Sequence, residues 1–194
     1  MEPITETDTI VARQLHTISP SRHLPPPTSE QSPSTLRPFQ FTVATFGTQE
    51  TSVTFDVASA SALSPHTSQF RHAQLIELHA RIFPHATAVA FPTTISYVWV
   101  PSNSTATATD ILQVYGGQQF VIGGPLSPSK TIVTSCSLDC CNPVIKDSTT
   151  YNDTPRLIIY SPPPTTKAPN ITATLVISGK VRLSAPLLQS SRVA

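Results

Sequence analysis

The strongest constraint in this sequence is a two-residue period that returns in short segments from Phe39 almost to the C-terminus. Phe39, Phe41 and Val43 alternate with Gln40, Thr42 and Ala44, and Thr51, Val53, Phe55 and Val57 alternate with Ser52, Thr54 and Asp56. Ile95, Tyr97 and Trp99 alternate with Ser96 and Val98. The last segment is the clearest: Ile171, Ala173, Leu175, Ile177, Val181 and Leu183 share one face, while Thr172, Thr174, Ser178, Lys180 and Arg182 share the other, with Val176 as the exception. Successive side chains of a strand point to opposite faces, so these patterns specify half-buried strands.

The segment from Phe70 to Phe83 reads two ways. Its residues form helices well, yet Ile76, Leu78, Ala80 and Ile82 oppose Glu77, His79 and Arg81. The surrounding all-β pattern favours a strand. Turns are marked by Gly47, Pro65, Pro84, Pro101-Ser102-Asn103, Gly116-Gly117, Gly123-Gly124-Pro125 and Pro162-Pro163-Pro164. Thr107 to Val114 is expected to form one short helix. Seven or eight strands at this spacing suggest a β-sandwich, of which the jelly roll is one of two common forms.

Residues 1–37 read differently. They hold Pro25-Pro26-Pro27 and further prolines at Pro3, Pro20 and Pro33, and show little apolar period, so they are expected to be an arm ordered by neighbouring subunits. Arg13, Arg22 and Arg37 stand against Glu2, Glu6, Asp8 and Glu30, a net charge of −1. A short helix around Thr7 to His16 is expected within it. The chain is thus divided into the arm, a β domain over 38–188 and a tail over 189–194.

Charged residues make up only 12% of the chain and its net charge is +1. A sparsely charged surface rich in Ser, Thr and Pro suits a protein that neighbours will cover, and a strong basic footprint for nucleic acid is absent. No apolar run is long enough to form a membrane-spanning helix. The N-terminal MEPITETDTIVARQLH lacks the apolar stretch of a secretory signal. Cys136, Cys140 and Cys141 lie close together with no His nearby; they are read as small apolar thiols in a reducing compartment, not as a zinc site or disulfide framework. Asn103, Asn152 and Asn170 head glycosylation sequons, which chance produces readily in a chain this rich in Ser and Thr.

Catalytic motifs are missing: no phosphate-binding loop, no nucleophile elbow, no His-Glu-x-x-His. Tyr115-Gly116-Gly117-Gln118 and Ile122-Gly123-Gly124-Pro125 are read as tight turns around a short strand. A thiol triad built on Cys140 has no specific support. A glycosylated extracellular sandwich and a cupin-type enzyme using Glu77 and His79 are the competing classes. Histidine carries more information, because six His accompany only 12 Lys plus Arg. Imidazole titrates near neutrality, so positive charge would rise as pH falls. His72 beside Arg71, His66 near the same strand start, and His16 and His23 in the arm are the candidates for an inner surface that touches RNA.

Several strings occur together in order: Pro38-Phe39-Gln40-Phe41, Phe70-Arg71-His72-Ala73, Phe91-Pro92-Thr93-Thr94, Trp99-Val100-Pro101-Ser102-Asn103-Ser104 and Tyr115-Gly116-Gly117-Gln118. Ile122-Gly123-Gly124, Lys146-Asp147-Ser148, Asp153-Thr154-Pro155-Arg156-Leu157 and Ile177-Ser178-Gly179 follow. In this order and spacing, from about Pro38 to Leu188, the chain resembles the tymovirus coat proteins.

The resemblance implies an all-β, eight-stranded antiparallel jelly-roll sandwich whose copies form pentamers and hexamers of a T=3 icosahedral shell around positive-strand RNA. It implies a shell held mainly by protein–protein contacts, made in the host cytoplasm and able to form empty. A near-neutral subunit then needs polyamines or divalent cations to neutralise the RNA. By the resemblance, His72 is the first choice for an RNA contact. A second inward-facing His of some family members aligns near Ser184, where this chain departs from the pattern, with Lys180 and Arg182 as electrostatic substitutes.

Overall fold

A computed structural model describes residues 34–125 and 130–187. The arm up to residue 33, with His16, His23 and the helix expected at Thr7 to His16, lies outside the described residues, as does the tail.

Nine strands occur among the described residues: β1 Ser34–Phe46, β2 Thr51–Asp56, β3 Phe70–Pro84, β4 Thr93–Pro101, β5 Gln118–Ile122, β6 Ile132–Ser135, β7 Val144–Lys146, β8 Pro155–Ser161 and β9 Ala173–Pro186. They form two antiparallel sheets, one in the order β1-β9-β3-β6 with β7 also on β3, the other in the order β2-β8-β4-β5. The sheets pack face to face around one main core, a jelly-roll sandwich as expected.

The count is nine where the sequence suggested eight. β6 pairs with His79–Ile82 of β3 and β7 with Ala73 and Gln74, so the two lie end to end along one edge of β3. The intervening residues, Ser137 to Asn142, loop out of the ladder. They carry Leu138 and two cysteines, and their backbone closes on itself and on the neighbouring loop through Cys140 N–H to Ser137 O and Asn142 N–H to Asp153 O. One jelly-roll strand is thereby split in two.

β9 is the spine of the larger sheet and runs unbroken between β1 and β3. Both neighbours carry one extra residue. In β3, Leu75 pairs with Val181 and Glu77 with Lys180, leaving Ile76 as a bulge; in β1 the slip falls at Val43, between Thr42 and Ala44. Each slip reverses the alternation, so β3 buries Ala73 and Leu75 before Ile76 but Leu78, Ala80 and Ile82 after it. Leu75, Leu78 and Ile82 consequently stand at helical spacing in a strand, which explains the double reading of this segment.

The core between the sheets is built from Leu75, Leu78, Ile82, Ile95, Leu157, Ile159, Leu175 and Ile177, with Phe39 and Phe46 from β1. Gly179 is required at the centre of β9, because a β-carbon there would lie 2.2 Å from the Glu77 carbonyl oxygen and 2.8 Å from the Phe39 ring. The turn glycines Gly116, Gly123 and Gly124, with φ of 88°, 86° and 87°, bracket β5 as the sequence implied.

Three local expectations are corrected. Thr107 to Val114 is not a helix: only Ile111–Gln113 makes a 3-10 turn, because the Asp110 carboxylate accepts from the Thr107 N–H at 2.8 Å and folds the preceding residues into a loop. Pro65 lies not in a turn but in the first turn of a short helix, α1 Ser64–Thr67, where its missing N–H costs nothing. Ile171 lies outside β9 and is exposed, since the chain enters the strand only at Ala173. The buried Thr172 anchors that entry, its hydroxyl 2.6 Å from that of Thr93 and 3.2 Å from the Phe46 carbonyl oxygen.

A second apolar cluster lies on the outer face of the smaller sheet. Ile111, from the β4–β5 connection, packs on Val98, Val100 and Ile158. This is why β4 is buried on both faces, against the simple alternation read for Ile95 to Trp99.

Candidate functional site

The outer face of the larger sheet collects the polar alternates of β1, β9 and β3. Cross-strand register sets their order: Ser178 lies between Gln40 and His79, Lys180 between Pro38 and Glu77, Arg182 between Leu36 and Gln74, and Ser184 between Ser34 and His72. Arg81 continues the row beside Val176. The face thus presents Arg81, Lys180, Arg182, His79 and His72, with Glu77 as the one acidic side chain on its strands.

Lys180 Nζ donates to Glu77 Oε1 at 2.8 Å, and this hydrogen bond is the main reason the Glu77 carboxyl is held below the usual carboxylate range. His79 Nδ1 is 2.9 Å from Ser135 Oγ on β6. Arg81 Nε and Ser178 Oγ are both buried without a hydrogen-bond partner among the described residues. Arg81, Ser178, His79, Lys180, Glu77 and Gln40 line one recess of about 430 Å³.

The sequence candidates are distributed unequally. Lys180 and Arg182 are on this face, and His72 is at its end with a side chain 48% exposed. His72 Nδ1 lies 2.7 Å from Asp147 Oδ1 in the loop after β7. The Asp147 carboxyl is held below its ordinary range chiefly by the Ser148 backbone N–H, with His72 adding to the effect. Ser184 stands opposite His72 in the ladder, at the position where the chain departs from the family pattern. Arg71 is exposed at the start of β3, and His66 is half-buried in α1, so neither joins the row.

Arg81, His79 and Ser178 were not among the RNA candidates. The alternation of His79 and Arg81 with buried residues was visible, but their alignment with Lys180 needs the β3–β9 register, which the Ile76 bulge hides. The cupin reading loses its geometry here: Glu77 and His79 face away from the space between the sheets and are already bound to Lys180 and Ser135.

Cys140 and Cys141 lie in the loop that splits β6 from β7, and Cys136 extends β6, its N–H donating to the Leu78 carbonyl oxygen. All three are free thiols, Cys136 buried and Cys140 exposed. A hydrogen bond between Cys136 and Cys141 pushes the Cys136 thiol up, with burial adding to it, and holds Cys141 down. No group of three or more His, Cys, Asp or Glu side chains is placed to hold a metal among the described residues. Asn103, Asn152 and Asn170 are exposed.

Comparison with known proteins is consistent across methods. The family model described as tymovirus coat protein matches residues 20–192. The capsid protein of cacao yellow mosaic virus is 45% identical over 185 residues, covering 95% of this chain and 98% of that protein. The capsid protein of Physalis mottle virus is 44% identical, covering 94% and 97%. Among solved structures, that of Desmodium yellow mottle tymovirus is 44% identical with a TM-score of 0.81, covering 90% of this chain and 99% of that one.

Proposed function

The chain belongs to the tymovirus coat protein family, and on that premise we propose that about 180 copies, in pentamers and hexamers, close a T=3 shell around positive-strand RNA. It is a structural component of the virion and not an enzyme. The observation that carries the reading is the family match across residues 20–192, on a jelly-roll sandwich of the same fold. Synthesis in the host cytoplasm belongs to the same proposal.

Charge arithmetic supports a shell held by protein–protein contacts. At +1 per chain, about 180 subunits supply about 180 positive charges. An RNA encoding this chain alone needs three nucleotides for each of 194 residues, about 580 phosphates in all. Polyamines or divalent cations therefore supply most of the neutralisation, and protonated histidines add to it at low pH.

The polar face of the larger sheet is the surface we assign to RNA. Support comes from the excess of cations on this face, Arg81, Lys180 and Arg182 standing against Glu77 alone. Lys180, Arg182 and His72 extend the row.

Expression of the chain without viral RNA, followed by sedimentation and negative-stain microscopy, tests the assembly. Uniform shells about 30 nm across are expected from about 180 domains of this size. A stable monomer or small oligomer overturns it.

A further inference from the structure

The neck of the loop between β6 and β7 is held by backbone on both sides. Cys136 N–H donates to the Leu78 carbonyl oxygen on β3 at 2.9 Å, and Asn142 N–H donates to that of Asp153 at 2.9 Å. Between them Ser137 to Cys140 form a β-turn, closed by the Cys140 N–H on the Ser137 carbonyl oxygen at 3.2 Å. Residues on either side of such a turn stand opposite one another, and here these are Cys136 and Cys141. Their sulfurs meet, the Cys136 thiol donating a hydrogen bond to Cys141 Sγ.

The two thiols are unequal. Cys136 is 7% exposed, whereas Cys141 is half-buried and stands at the wall of the cleft between β4 and β6. The hydrogen bond from Cys136 holds the Cys141 thiol below its usual range, against burial and the Asp153 carboxylate. The same bond, with burial, keeps Cys136 protonated. The thiolate is the nucleophilic form, so Cys141 is the attacking sulfur and Cys136 the protonated partner beside it.

We propose that Cys136 and Cys141 are an oxidation site, joined in a disulfide by hydrogen peroxide. The Cys141 thiolate attacks one peroxide oxygen; an S–O bond forms, the O–O bond breaks and hydroxide leaves. The Cys136 sulfur then attacks the Cys141 sulfur; the S–S bond forms, the S–O bond breaks, and the departing hydroxide takes the Cys136 proton as water. Two electrons pass from the thiols to the peroxide. In a reducing compartment both stay thiols, so the link forms once the protein meets the oxidant. Cys140 takes no part. Its exposed thiol is turned to Ser137 Oγ at 3.9 Å, and a ring with its neighbour Cys141 would distort the planar peptide between them. This inference does not depend on which surface faces RNA.

The test treats the purified full-length protein with hydrogen peroxide, then unfolds it and alkylates the remaining thiols with iodoacetamide. Digestion at lysine leaves all the cysteines on the peptide Thr131–Lys146, and cleavage before Asp139 separates Cys136 from the other two. The expected result is alkylation of Cys140 alone, with two peptide halves that stay joined until a reductant is added. Cys140→Ser keeps the link and Cys141→Ser abolishes it, circular dichroism confirming that each variant folds. The wild-type peptide map decides the matter alone if a variant fails to fold. Alkylation of all the cysteines, or a link between Cys140 and Cys141, overturns the proposal. Sulfinic acid at Cys141, or dimers joined through Cys140, in place of the internal link also overturns it.

Discussion

His72 Nδ1 stands 2.7 Å from Asp147 Oδ1, joining the start of β3 to the loop after β7. With a carboxylate at hydrogen-bond distance, His72 brings no uncompensated positive charge to this end of the sheet face.

Asp147→Asn removes the negative charge beside His72 and should accordingly raise RNA retention at neutral pH. RNA release from wild-type and variant particles checks it, and equal release from the two would sink the idea.

Asp147 itself gives a pH window. Its folded pKa lies below the unfolded one, so its contribution to stability is present above about pH 4 and is lost as pH falls through the lower folded value. Glu77, held down by Lys180, behaves in the same direction. Acid unfolding of Asp147→Asn and Glu77→Gln subunits should show a shallower loss of stability below about pH 4 than wild type. Identical acid profiles would mean that these exposed contacts contribute nothing.

Arg81 is the cation of the row whose Nε has no partner among the described residues. Replacing it with Gln should weaken binding of a short single-stranded RNA and lower the slope of log K against log salt by about 0.7, the value for one phosphate contact. A reduced affinity with an unchanged slope would show that Arg81 acts through packing alone.

Much of the sandwich was legible because β9 keeps one phase from Ala173 to Leu183, and a central strand of this kind fixes which faces are buried. What stayed hidden has a common cause. The bulges at Val43 and Ile76 shift the pattern by one residue, so local alternation in β1 and β3 could not be carried across the whole strand. Lys180 and Arg182 were found as site candidates through the family resemblance, because they lie near Ser184 on the unbroken strand. Arg81 and His79 were missed because they lie beyond a bulge. The split of β6 from β7 was equally hidden, since its cause is a loop stabilised by contacts to the Asp153 backbone, distant in sequence.

Gly179 tests the packing of that central strand. An alanine β-carbon would strike the Glu77 carbonyl oxygen, which is backbone and cannot rotate away, as well as the more mobile Phe39 ring. Gly179→Ala should destabilise the subunit by about 1–3 kcal/mol, read from the urea midpoint. Adding Phe39→Leu should not restore the loss, because the backbone clash remains. Full rescue by Phe39→Leu would place the strain in the ring instead.

Ile111 is the side chain through which the β4–β5 connection grips the smaller sheet, fully buried between Val98, Val100 and Ile158. The same connection presents Leu112 at 59% exposure and Tyr115 at 100%, two large apolar groups that a dilute monomer has no reason to display. Truncating Ile111 to Ala costs about 2–5 kcal/mol of packing, but the main core between the sheets does not touch this cluster. Ile111→Ala should therefore leave the sandwich folded while loosening the connection. Limited proteolysis should cut within residues 102–117, and hydrogen exchange there should accelerate without change in β9. Shell yield should fall as well, because Leu112 and Tyr115 lose the fixed positions from which a neighbouring subunit would cover them. Normal assembly from a protein whose connection has become protease-sensitive would show that these side chains lie outside the subunit contacts.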